Sequence, residues 1–129
     1  MTTFPKREHI VSTRLIDLLF GSGSKALVAY PLRVVYRLVP RQQTGVEAQM
    51  LISVPKKRFK HAVDRNRVKR QVREAYRHQK EPLVAAVPAD QCLLIGFVWI
   101  ADEHTPSTIV NSRVEKLLKR IGERLKAEG

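Results

Sequence analysis

The spacing of hydrophobic residues divides the chain into a short series of elements. Leu15, Leu18 and Leu19 recur at helical intervals behind Ser12 and Thr13, whose hydroxyls suit a helix cap, and Phe20-Gly21-Ser22-Gly23 stops that helix. Two extended runs rich in β-branched residues follow, Leu32 to Val39 and Glu47 to Val54. Residues 40–45 (PRQQTG) read as a turn between them, so the pair is expected to form an antiparallel hairpin. Lys25 to Tyr30 is expected to add a short strand before Pro31. A helix is expected from about Lys60 to Gln79, ended by Pro82, with one further turn over Leu83 to Val87. Cys92 to Ile100 is almost wholly apolar, the pattern of a central strand covered on both faces. Thr105-Pro106 opens a last helix with a packing stripe of Ile109, Val114, Leu117, Leu118, Ile121 and Leu125. The order αβββαβα describes an α+β fold, a mixed β-sheet with helices. Residues 1–129 suit a single domain with one modest core.

Charge then changes the picture. The chain has 24 Lys and Arg against 12 Asp and Glu, a net charge of +12. Residues 56–80 hold eleven of those cations and two acids, Asp64 and Glu74. At about 100° per residue, Val68, Val72, Ala75 and Tyr76 share one sector of the helix. Arg65, Asn66, Lys69, Arg70, Arg73 and Arg77 occupy the adjoining sector, and Arg67 lies on the far flank near Glu74. A solvated face usually interleaves signs. Here Lys69 with Arg73, and Arg73 with Arg77, repel at i,i+4 by a few tenths of a kcal/mol each. A polyanion relieves that repulsion, and nucleic acid is the expected one. Arg forks bind phosphate oxygens bidentately and stack on bases. Asn66 reads either as an ordinary helix-surface amide or as a group that fixes an Arg or reads a 2′-hydroxyl or base edge.

An anionic membrane surface is the other class of polyanion. No apolar run reaches the length that spans a bilayer, and the opening MTTFPKREHI lacks the apolar segment of a secretion signal. The expected location is cytoplasmic, with no membrane partner. The lone cysteine, Cys92, reads as a buried small hydrophobe. No chemistry is expected from the protein's own side chains. His9, His61, His78 and His104 stand in no metal-ligand spacing, GSGSK at 21–25 lacks the ending of a phosphate-binding loop, and the acids are scattered. A DNA-reading helix would need a dimer or base-reading side chains, whereas Val68, Val72 and Tyr76 are committed to the core; no DNA partner is expected.

One block within this basic stretch carries a family likeness. Ser53-Val54-Pro55-Lys56-Lys57, then Ala62-Val63, Arg65-Asn66-Arg67-Val68-Lys69-Arg70 and Val72-Arg73-Glu74-Ala75-Tyr76-Arg77 resemble the signature of the protein subunit of bacterial ribonuclease P. Phe4-Pro5-Lys6-Arg7-Glu8, Phe20 and Leu32 to Tyr36 extend the resemblance over most of the chain. It implies a small α+β sandwich related to a ribosomal-protein domain, with a left-handed βαβ crossover in place of the usual right-handed one. It also implies an auxiliary subunit with no catalytic residues of its own. The RNA subunit would carry out metal-assisted hydrolysis that removes the 5′ leader of precursor tRNA. Mg²⁺ is expected in that RNA-containing holoenzyme, and no cofactor on the protein alone.

By the same resemblance, Arg65, Asn66, Arg67, Lys69, Arg70, Arg73 and Arg77 would face the ribonuclease P RNA. Phe20, Tyr36, Lys56, Lys57, Arg58 and Lys60 would meet the leader in a cleft between the first helix, the sheet and the second helix. Plain core packing is the alternative reading for Phe20 and Tyr36. The chain departs from the family pattern in three places. Ile16 stands where an aromatic residue is common. Ala101-Asp102-Glu103 follows the last strand where basic residues are common. Residues 58–61 (RFKH) replace a shorter loop. A ribosomal or other structural RNA-binding protein is the alternative function.

Overall fold

An apolar run with two buried faces needs a strand on either side and cover above and below, and residues 91–99 set the sheet order accordingly. The computed structural model describes residues 8–128, so the Phe4-Pro5-Lys6-Arg7 part of the resemblance lies outside the described residues. The elements are α1 (Thr13–Phe20), β1 (Lys25–Ala29), β2 (Leu32–Pro40), a 3₁₀ turn (Arg41–Gln43), β3 (Ala48–Ser53), α2 (Ala62–Gln79), α3 (Glu81–Ala85), β4 (Gln91–Trp99) and α4 (Ser107–Glu128). The sheet order is β1-β2-β4-β3. β4 pairs antiparallel with β2 and parallel with β3. The α+β class and the element order are as the pattern predicts, with α3 as one added turn.

The expected hairpin of the second and third strands does not form. β2 takes β1 as its second partner, and β4 enters between β2 and β3. Local spacing favours the hairpin, but burial of β4 outweighs it: Cys92, Leu93, Leu94, Ile95 and Phe97 have no exposed surface at all. The β2–β3 connection therefore passes over the start of β4. Arg41 holds it there, donating from Nε to the Gln91 carbonyl (2.8 Å) and from Nη2 to the Pro88 carbonyl (3.0 Å). Gly45, at φ 74°, takes the left-handed conformation that lets the chain turn back into β3.

Pro82 also acts differently from expectation. It opens α3 in its first turn, and α2 has already ended at Gln79. Lys80, at the joint between the two helices, is buried, and its ammonium meets the Glu8 carboxylate at 2.7 Å. That pair ties residue 8 to the far end of α2. The edge of β3 is covered in turn by residues 9–10: His9 bridges to Met50, and the Ile10 N–H donates to the Met50 carbonyl.

Helices cover both faces of the sheet. Leu32, Val34 and Tyr36 of β2, with Ile95, Phe97 and Trp99 of β4, point to the face covered by α2 and α4. Val35, Val39, Cys92 and Leu94 point to the other face, where Leu15 and Leu19 of α1 pack. Gly96 lets α1 approach this face closely. A Cβ there would meet Leu19 Cδ2 at 3.0 Å, Val35 Cγ2 at 3.1 Å and Phe20 Cζ at 3.2 Å. Gly96→Val is expected to destabilise the fold by about 1–3 kcal/mol through overpacking. Chemical denaturation checks this, and an unchanged midpoint would show that α1 yields without cost.

Candidate nucleic-acid interface

α2 has the amphipathic division that its sequence predicts. Val68, Val72, Ala75 and Tyr76 are buried, and Tyr76 meets the Phe97 ring edge-on at 6.1 Å. Asn66, Arg67, Arg70 and Arg73 are exposed, and Lys69 is half-buried. Asn66, Arg67, Lys69 and Arg70 make no side-chain hydrogen bond or ion pair among the described residues. Four basic or amide side chains are thus held on a rigid helix without an internal counter-charge. Arg73 acts on its surroundings. Burial, and next the Arg73 charge, push the His9 imidazole below its ordinary range.

Two members of the basic set are engaged within the protein. Arg65 lies at the start of α2, close to the core-facing meridian, and turns inward. Its Nη1 donates to the carbonyls of Phe59 and Lys60, both at 2.9 Å. Arg77 donates from Nε to Glu74 Oε2 at 2.7 Å, and this hydrogen bond holds the Glu74 carboxyl below its usual range. Arg65 therefore shapes the preceding loop, and Arg77 is partly neutralised at the C-terminal end of the face.

The loop before α2 presents Lys56, Lys57 and Lys60 to solvent. Phe59 anchors it in the core cluster and stacks on His104, with ring centroids 4.5 Å apart. His104 Nε2 lies 3.0 Å from Asp64 Oδ1, and Arg58 Nη1 donates to Asp102 Oδ1 at 3.2 Å. The acidic segment after β4 thus clasps the basic loop from below. Arg58 spends part of its charge on that clasp, whereas the three lysines spend none.

Strand alternation places Tyr36 away from the expected cleft. Phe20 stands on the α1 face of the sheet, 45% exposed. Tyr36 is on the opposite face, 3% exposed, and its hydroxyl accepts a hydrogen bond from Arg124 Nη1 at 3.5 Å. The expectation that both line one cleft is corrected: successive side chains of a strand point to opposite faces, and Tyr36 is a core residue. α2 lies across the sheet from α1, and the Pro55–His61 loop carries its basic N-terminal end towards the α1-side surface.

The floor of that surface consists of residues the sequence reading missed. Val28, Arg33, Val98 and Ser53 form one cross-strand row next to the Gly96 row. Val28 and Arg33 are exposed, and Val98 and Ser53 are half-buried. The row is therefore open beyond the end of α1, with Phe20 on one side and the chain leading from Ser53 to Lys56 on another. The period of two along β2 carried the signal for Arg33. Arg37, on the same face, latches the α1 terminus by donating from Nη1 to the carbonyls of Ser22 (2.8 Å) and Leu18 (3.3 Å). Among the described residues no group of three or more His, Cys, Asp or Glu is placed to hold a metal ion. No described helix is long and apolar enough to cross a membrane.

Comparison with known proteins bears on the family and the fold. The family model described as Ribonuclease P matches residues 4–122. A ribonuclease P protein component of Porphyromonas gingivalis is 44% identical over 117 residues, covering 90% of this chain and 84% of that protein. One from Chlorobaculum tepidum is 33% identical, covering 86% and 76%. The solved RNase P protein from Thermotoga maritima superposes with a TM-score of 0.67 at 25% identity, covering 88% of this chain and 97% of that one. The Staphylococcus aureus RNase P protein shares the fold at 19% identity, also with a TM-score of 0.67, over 88% of this chain and 94% of its own. A family model spanning nearly the whole chain and relatives matched over most of their length place this chain in the ribonuclease P protein family.

Proposed function

We propose that the chain, as a ribonuclease P protein component, binds the catalytic RNA of that enzyme through α2 and holds the 5′ leader of precursor tRNA on the α1 face of the sheet. Asn66, Arg67, Lys69, Arg70 and Arg73 contact the RNA subunit, Arg65 shapes the adjoining loop, and Arg77 contributes a charge reduced by Glu74. Phe20 offers an exposed ring for stacking an unpaired base, worth about 1–3 kcal/mol. Lys56, Lys57 and Lys60 neutralise leader phosphates, and Arg33 and Val28 form the floor. Hydrolysis belongs to the RNA subunit with its Mg²⁺. The protein supplies positioning and charge, and works in the cytoplasm with that RNA. The observation that carries this reading is a core-anchored helix whose opposite face holds Asn66, Arg67 and Arg70 with no internal partner.

Reconstitution tests it. Added to its cognate ribonuclease P RNA at low Mg²⁺, the protein raises the rate of leader removal. Alone in Mg²⁺ it cuts nothing. No stimulation would point to a structural RNA-binding role, and cutting by the protein alone would overturn the assignment of the chemistry.

A further inference from the structure

α4 has a second basic face that the reading above does not use. Arg113, Lys116, Arg120 and Arg124 recur at intervals of three and four, within about 80° of one another around the helix. Lys116, Arg120 and Arg124 are exposed and Arg113 is half-buried. Lys116 with Arg120, and Arg120 with Arg124, are like charges at i,i+4, which repel by a few tenths of a kcal/mol per pair. The other flank of α4 interleaves its signs, with Lys119 Nζ 3.5 Å from Glu115 Oε1. Glu123 marks the border between the two flanks.

The fold turns this face away from α2, which packs against the opposite flank of α4, where Gln79 Nε2 donates to the Asn111 carbonyl at 3.2 Å. α4 lies beside β1, and Arg113 Nε donates to the Tyr30 carbonyl at 3.0 Å. α2 lies beside β3, and β1 and β3 are the two edges of the sheet. Three strand spacings, about 14 Å, separate those edges. Tyr30, at the turn between β1 and β2, is 63% exposed, and only its backbone carbonyl is engaged by Arg113 among the described contacts.

We propose that Arg113, Lys116, Arg120 and Arg124 form a second surface that grips the phosphate backbone of RNA, so that the protein sits between two segments of RNA. This rests on the reading of the chain as a subunit of an RNA-containing enzyme. Charge complementarity selects the occupant: four cations at phosphate-scale spacing along a helix match a polyanion. A membrane-surface helix would instead carry large apolar side chains exposed beside its cations. Val110, Val114, Leu117, Leu118, Ile121 and Leu125 of α4 are all buried, and Ile109, 39% exposed at the start of the helix, is the one large apolar side chain of the described α4 residues that stands beside the cations, too little to seat a helix on a bilayer.

The test is the double variant Lys116→Ala/Arg120→Ala, both positions exposed and away from α2. Its affinity for the cognate ribonuclease P RNA is measured by fluorescence anisotropy between 50 and 200 mM salt. Losing two phosphate contacts makes the slope of log affinity against log salt shallower by about two. The variant's deficit is then about tenfold larger at 50 mM than at 200 mM. Lys119→Ala, on the other flank, leaves the slope unchanged. Lys116→Gln/Arg120→Gln reproduces the effect if alanine disturbs the helix, and matched melting curves confirm folding. A wild-type slope in both double variants overturns the proposal. So does loss of binding to phosphatidylserine vesicles without any change towards RNA. Failure of the wild-type chain to bind the RNA at all would remove the proposed function itself, whereas wild-type binding with an unaltered variant slope removes only the second surface.

Discussion

Tyr36→Ala is expected to lower the melting temperature by more than about 10 °C and to weaken binding to leader-bearing and mature tRNA alike. Tyr36 is enclosed between β4 and α4, opposite Ile95 in the strand register. Truncating a buried aromatic to alanine costs about 3–5 kcal/mol, because contacts are lost and the cavity does not close. In a domain of this size each kcal/mol shifts the midpoint by about 4 °C. Any loss of function then follows the unfolded fraction and takes no account of the substrate's leader. Calorimetry, with binding measured well below the midpoint, separates the cases. A Tyr36→Ala protein that melts normally but discriminates against leader-bearing substrate would place the ring in the cleft after all. Phe20→Ala is the matched control: its half-exposed ring contributes less to the core, so its effect falls on the leader.

The second large effect concerns α2. Arg67→Ala/Arg70→Ala/Arg73→Ala should leave the helix intact, since alanine is the best helix former and Val68, Val72, Ala75 and Tyr76 still pack. Removing three phosphate contacts should make the salt slope of RNA-subunit binding shallower by nearly three. The deficit against wild type would then be about fortyfold larger at 50 mM salt than at 200 mM. A variant that binds as wild type does at every salt concentration would exclude α2 as the interface. Asn66 separates positioning from charge: Asn66→Ala lowers affinity without altering the slope, because the amide neutralises no phosphate.

The residues explain which parts of this could be read from the chain. The basic face of α2 was legible because helical periodicity and charge excess report the same sector, and both are local properties. The last helix and the central apolar strand were legible for the same reason. Strand order was not, because the partners of β3 and β2 depend on residues 91–99, far along the sequence. The hairpin over residues 32–54 satisfied every local criterion and lost to the burial of Leu93, Ile95 and Phe97. Tyr36 was misplaced for a related reason. Which face of a strand meets which helix is fixed only when the sheet is assembled, and the resemblance to a family had suggested a cleft residue. Arg65 was placed on the right helix but not in its inward orientation, which depends on the carbonyls of Phe59 and Lys60. The clasp of His104 and Asp102 on the basic loop joins positions some forty residues apart and leaves no local trace.

The insertion of β4 between two earlier strands has a consequence for the order of assembly. β1 and β2 can pair as soon as both exist, whereas β3 finds its strand partner only when residues 91–99 arrive. On the ribosome, α2 emerges with its cations and its apolar stripe before the strand that completes its seat. During that interval the most basic part of the chain is tethered to a ribosome rich in RNA, while Val68, Val72 and Tyr76 still lack the Phe97 side of their core. Pairings this distant in sequence form slowly. The interval between the emergence of α2 from the ribosome and the emergence of β4 is therefore the window in which a nascent chain of this fold is most exposed to capture by the wrong RNA.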